Sequence, residues 1–182
     1  MPPVWAARPD MRGLPFDLVA YMAFVSAVAT RYEGLIWGYI IWNEPNLAAE
    51  WSYAGHNLAE RGEMGGGRVA DPADYVGVLG LAYRRIKAAD PQARVASAGL
   101  APTNENSLRA MDDRLFWQKM LEAGVLDCMD ALAVHAYAYG QDPLAPATAD
   151  GLGLERIAQL YQMMRDSGAE KPVWVTEMGY TV

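Results

Sequence analysis

Three segments of the chain end an apolar run with residues able to move a proton or attack a carbon. They are Asn43-Glu44 after Gly-Tyr-Ile-Ile-Trp, His135 and Tyr137 within Val-His-Ala-Tyr, and Glu177 after Val-Trp-Val-Thr. If neighbouring strands bring these ends to one rim, two carboxyl groups meet a phenol and an imidazole. One carboxyl can then serve as general acid while the other attacks as a nucleophile. Cleavage of a glycosidic bond needs such a pair, because the leaving oxygen must be protonated while charge developing at the anomeric carbon is captured from the other face. One group must stay protonated and the other ionised, a difference that burial, mutual repulsion and hydrogen bonding can create.

Each residue also has a plainer reading. Asn43-Glu44-Pro45 alone fits a turn or helix start after a strand, and Glu177 alone fits a solvated rim residue or a partner for Lys171. His135 fits a structural histidine and is given a positioning role, while Tyr137 fits a core aromatic whose hydroxyl reaches the rim. The second carboxylate at a strand end, with His-x-Tyr between the two, favours the paired reading. Trp51 and Tyr53 could stack on sugar rings or anchor their loop. Gly65-Gly66-Gly67 is not a phosphate loop, since no Lys-Ser/Thr follows. His56, Glu60 and Glu63 match no familiar ligand spacing, so no metal and no cofactor is expected. The one cysteine, Cys128, permits no intrachain disulfide and reads as a small apolar packing group.

The elements that must position these residues alternate in type. Nearly continuous apolar segments predict strands at Leu35 to Asn43, Arg94 to Gly99, Ala131 to His135 and Pro172 to Thr176, with a weaker one at Pro3 to Ala6. Helices are expected at about Asp17 to Tyr32, from Asp71 to Asp90-Pro91, at about Asp113 to Ala123 and at about Leu154 to Ser167. Asp71 suits the N-cap, Pro72 the first helical position, and Gly124 and Gly168 left-handed terminators. Tyr75, Val78, Leu79, Ala82 and Ile86 recur at threes and fours, so one face of the second helix is buried. Such alternation implies an α/β fold with a parallel sheet and outer helices, its functional loops at the C-terminal ends of the strands. The long polar stretch from Pro45 to Ala70 is one of these loops.

The strand-end motifs resemble a known family. Ile41-Trp42-Asn43-Glu44-Pro45-Asn46, then His135-Ala136-Tyr137, then Trp174-Val175-Thr176-Glu177-Met178-Gly179 are similar to those of glycoside hydrolase clan A, most of all the cellulase-like families five and thirty-nine. The resemblance implies a retaining enzyme on a (β/α)8 barrel acting on β-linked glycosides or polysaccharides, without a cofactor. It implies Glu44 as acid/base and Glu177 as nucleophile, about 5 to 5.5 Å apart. By the same resemblance Asn43 would bond the sugar 2-hydroxyl, Tyr137 would donate to the nucleophile, and His135 would be its polar neighbour on the same strand; with Trp51 and Asn46 of the following loop these three make up the expected substrate-binding set. Glu44 and Glu177 lie 133 residues apart, room for three βα units.

The likeness runs from about Trp5 to Gly179 and covers strands four to seven of the barrel, whereas a full one takes about 250 residues. Strands one, two and eight have no counterpart, nor do the arginine, histidine and tryptophan that relatives place around the nucleophile. A partial barrel, read as one domain over 1–182, would expose sheet edges that favour self-association. Two competing readings therefore stand beside the enzyme: a carbohydrate-binding or interaction domain without turnover, and a half-barrel completed by a second chain.

Composition narrows the field further. With 182 residues, 52% of them hydrophobic, the chain can fold around a sizeable core. A net charge of -7 has the wrong sign for non-specific binding to nucleic acid or an anionic membrane surface. The longest apolar run, Leu18 to Thr30, is 13 residues, short of the roughly 20 that span a bilayer. The expected partner is a carbohydrate substrate; cellular location is left open.

Overall fold

A computed structural model describes residues 16–51, 69–138, 140, 142 and 148–180. The expected strand at Pro3 to Ala6, together with Tyr53, His56, Glu60, Glu63 and Gly65 to Gly67, lies outside them. Helices and strands alternate: α1 (Leu18–Arg31), β1 (Gly38–Ile40), α2 (Pro72–Ala89), β2 (Arg94–Ala96), α3 (Asp113–Glu122), a 3-10 turn (Val125–Cys128), β3 (Leu132–Ala138), α4 (Leu154–Asp166) and β4 (Val173–Tyr180). Among the described residues no helix is long and apolar enough to cross a membrane.

Local chemistry sets the helix ends. Asp17, Asp71 and Asp112 each accept backbone N–H groups of the first turn of α1, α2 and α3. Pro72 opens α2, and Gly124 and Gly168 leave α3 and α4 at a φ of 82°, where a Cβ would be strained. All four helices match their expected positions within a residue or two.

The strands form a parallel arc in chain order. β1 pairs with β2 from Gly38↔Arg94 to Ile40↔Ala96, β2 touches β3 through a parallel bridge between Ala96 and Ala131, and β3 pairs with β4 from Leu132↔Val173 to Ala138↔Tyr180. One face of this arc carries Val95, Leu132, Val134 and Val173 into the main core, with Tyr75, Leu79, Ile86, Phe116, Trp117 and Met164 from the helices. The other face belongs to the barrel interior. There the Trp174 ring lies over Ala96, Ala131 and Ala133 and stacks on Trp37 at 5.0 Å between centroids. Gly38 makes this possible, since a Cβ on it would come within 2.7 Å of the Trp174 ring.

The arc does not close. Among the described residues β1 has only β2 as a neighbour and β4 only β3. Leu35, Trp37 and Ile40 beside one edge, and Val175 and Met178 on the other, are exposed. Edges of this kind offer unpaired backbone groups and apolar surface to a further strand.

The strands differ in length from expectation, for a physical reason. β1 starts later because the amides of Leu35 and Ile36 turn back to the Tyr32 carbonyl, and at the C-terminal ends of β1 and β2 the Tyr75 phenol takes the place of ladder bonds. It donates to the Ile41 carbonyl at 2.9 Å and accepts from the Ala98 amide at 2.5 Å. β3 and β4 run further because their pairing continues through His135↔Glu177 to Ala138↔Tyr180.

Candidate active site

Glu44 stands in the turn that leaves β1. Trp42 and Glu44 have φ of 74° and 42°, left-handed values unusual for residues with a Cβ. The turn is anchored from below by Tyr75, wholly buried on α2, whose phenol joins the ends of β1 and β2 and whose pKa burial drives upward. The Glu44 amide also donates to the Gly99 carbonyl at 3.0 Å. Sequence reading placed Tyr75 on a buried face without giving it this task. The missed signal is that a phenol on such a face must find polar partners.

Glu177 reaches the interior through an irregularity in β4. Strict alternation from Trp174 would turn Thr176 inward and Glu177 outward. The register shifts between Val134 and His135, so that Thr176 is passed over and His135 faces Glu177. One extra residue in one strand thus re-aims the carboxylate, a regular use of bulges.

His135 connects the two carboxyl groups. Its Nδ1 lies 2.8 Å from Oε1 of Glu44 and 3.6 Å from Oε2 of Glu177. Nitrogen and oxygen at the shorter distance require one proton between them, and whichever group holds it donates. The histidine side chain is 2% exposed, against 17% for Glu44 and 42% for Glu177, so the ring is an enclosed support beneath two accessible acids. Gly99 creates its space, for a Cβ there would sit 2.3 Å from the ring. The Tyr137 hydroxyl donates to Oε2 of Glu177 at 2.8 Å.

One oxygen from each carboxyl group and a ring nitrogen of His135 all lie within 4.8 Å of one another. By distance alone the trio could hold a divalent cation.

The remaining expected residues divide. Asn43 is exposed at the rim next to Glu44. Trp51 is not a sugar platform: it is 2% exposed, packed edge-on against Phe16, Trp42 and Tyr75. Asn46 has no face left for substrate. It is fully buried, with its amide bonded to backbone groups of Ala101 and Met111. The segment after Glu44 thus folds inward, Asn46 onto the loop after β2 and Trp51 onto Phe16 and Tyr75. Lys171 is not a partner of Glu177, since its ammonium donates to the carbonyls of Leu126 and Met129. Cys128 is buried as expected, and burial pushes its thiol up to about 11.

The loops beside the site are tied together by a buried polar group. Arg156 of α4, fully buried, donates to Asp113 at 2.8 Å, to the Gly151 carbonyl at 3.1 Å and to Asn104 at 2.6 Å. The loop after β2 is thereby fastened to the loop before α4.

Solved structures of glycoside hydrolases share this fold. A family 39 glycoside hydrolase from Bacteroides cellulosilyticus WH2 matches 92% of this chain and 32% of its own, with TM-score 0.58 and 19% identity. A glucosidase from Croceicoccus marinus matches 93% of this chain and 32% of its own, with TM-score 0.57 and 16% identity. The xylanase XynB from Paenibacillus barcinonensis matches 97% and 46% respectively, with TM-score 0.54 and 15% identity. The chain spans less than half the length of each. No protein-family profile and no curated protein matches it. The chain therefore has the α/β fold of clan A glycoside hydrolases and supplies part of their (β/α)8 barrel.

Proposed function

We propose that the chain carries the reaction centre of a retaining glycoside hydrolase acting on β-linked glycosides. The observation that supports this most is the convergence of Glu44 and Glu177 on Nδ1 of His135, from strand ends 133 residues apart in sequence. In the first step Oε of Glu177 attacks the anomeric carbon, the bond from that carbon to the leaving oxygen breaks, and the Glu44 proton passes to that oxygen. The product is a glycosyl ester on Glu177 and a free alcohol. In the second step Glu44 takes a proton from water, the hydroxyl adds to the anomeric carbon, and the ester bond returns its electron pair to Glu177. Tyr137 steadies Glu177, and Asn43 faces the sugar from the rim.

The open sheet and the half-exposed Glu177 favour a second reading, carbohydrate binding without turnover. The two separate on one experiment. Proton NMR of an aryl β-glycoside digest should show the β-anomer first, and Glu44→Gln or Glu177→Gln should abolish its formation. An α-anomer appearing first, or turnover by Glu177→Gln, would exclude the retaining pair. Calorimetric binding of β-linked oligosaccharides with no product would support the second reading.

A further inference from the structure

The turn bearing Glu44 combines left-handed backbone at Trp42 and Glu44, so it needs external restraint to persist. Two residues beyond Glu44, Asn46 is 0% exposed and supplies that restraint. Its Nδ2 donates to the carbonyls of Ala101 at 2.9 Å and Met111 at 3.0 Å, and its Oδ1 accepts from the Ala101 amide at 2.9 Å. Its own carbonyl accepts from the Met111 amide at 2.9 Å. One side chain thus grips both ends of the loop between β2 and α3. The seam continues outward, with Leu47 bridging Ala110 and the Ala48 amide donating to Arg109 at 2.8 Å. At its inner end the Glu44 amide is held by Gly99, the residue whose missing Cβ admits the His135 ring.

We infer that Asn46 is a positioning residue for Glu44. By clamping the segment after β1 to the loop that also seats His135, it holds the Glu44 carboxyl against Nδ1 of that ring. No other residue type of this size offers two donors and an acceptor in one plane. Its consequence for turnover rests on reading Glu44 as the acid/base; the placement of Glu44 against His135 does not.

The chain has two histidines, so a His56→Gln background leaves only His135 visible by imidazole NMR. There a shared proton between His135 and Glu44 should give a downfield, slowly exchanging imidazole signal. It should vanish in Glu44→Ala and, if Asn46 positions Glu44, in Asn46→Ala as well. A folded Asn46→Ala that keeps the signal would overturn the assignment.

Kinetics add a readout that simple destabilisation would not produce. Displacing an acid/base should cut kcat/KM by about 100-fold for glycosides with poor leaving groups, while dinitrophenyl glycosides, which need no proton, change little. Equal losses on both substrates would contradict a role through Glu44. If no variant turns over but the NMR signal behaves as stated, the positioning role stands and the catalytic reading fails. Should Asn46→Ala not fold, hydrogen exchange of the unmodified chain decides. The amides of Glu44, Ala101 and Met111 should exchange as one unit, and a Glu44 amide opening far ahead of the other two would refute the clamp.

Discussion

The Tyr137 hydroxyl donates to Oε2 of Glu177 at 2.8 Å, across neighbouring strands and two positions past the shift in their register. The contact exists because Gly179, opposite Tyr137, has no Cβ to meet the ring, which passes 2.8 Å from where one would stand. Orientation of the Glu177 carboxylate is therefore set by backbone register and a glycine as much as by the phenol.

Removing this donor should weaken a hydrogen bond to a charged group, worth about 1.5 to 3 kcal/mol. Tyr137→Phe should accordingly lower the rate of glycosyl transfer to Glu177 by about 10- to 100-fold. Pre-steady-state release of an aryl leaving group measures that step, and an unchanged rate would mean the phenol does not act on Glu177.

Gly99→Ala should cost about 1 to 3 kcal/mol through overpacking against His135. The source of the cost is checked by a double-mutant cycle in chemical denaturation. In a His135→Ala background the same substitution should cost much less, and an equal penalty in both backgrounds would point to backbone strain instead.

Breaking a buried ion pair by removing one partner leaves an uncompensated charge, so Arg156→Met should destabilise the fold by about 3 to 5 kcal/mol. Adding Asp113→Leu should recover much of the loss. Thermal melting of the single and double variants tests this, and a double variant no more stable than the single would argue against the pair.

Asp90 gives the fold an acid-sensitive joint. Its carboxylate accepts the amide of Gly34 at 2.9 Å, with those of Gln92 and Ala93 at 3.0 and 3.2 Å, and these bonds, with Lys87 nearby, hold its pKa below the ordinary 3.8. A depressed carboxyl pKa contributes stability that is present above the unfolded value and lost as pH falls through the folded one. Stability should thus decline below about pH 4, and Asp90→Asn should flatten that decline. An unaltered pH profile in the variant would place the acid sensitivity elsewhere.

Local signals made much of this architecture legible. Asp71-Pro72 and Asp90-Pro91 bound α2 because caps and proline act within a turn of themselves, and Gly124 and Gly168 stop helices for the same reason. That Glu44, His135, Tyr137 and Glu177 would meet was legible from polar residues placed where apolar runs stop. What escaped depends on distant partners. The alternation of Val173 to Thr176 gives no hint that Thr176 is passed over, since the shift arises from pairing with β3. Trp51 and Asn46 look like binding residues in a polar loop, and only the fold of that loop onto Phe16, Ala101 and Met111 buries them.

The proposed reaction centre is tested most directly by an attempt to trap a covalent intermediate on it. An activated 2-deoxy-2-fluoro-β-glycoside has a leaving group that needs no proton, so labelling reports the nucleophile alone. Intact mass should rise by one fluoroglycosyl group, peptide mapping should place it on Glu177, and Glu177→Gln should stay unlabelled. A folded chain that takes no label from gluco- and xylo-configured reagents, or takes it at another residue, would contradict Glu177 as nucleophile.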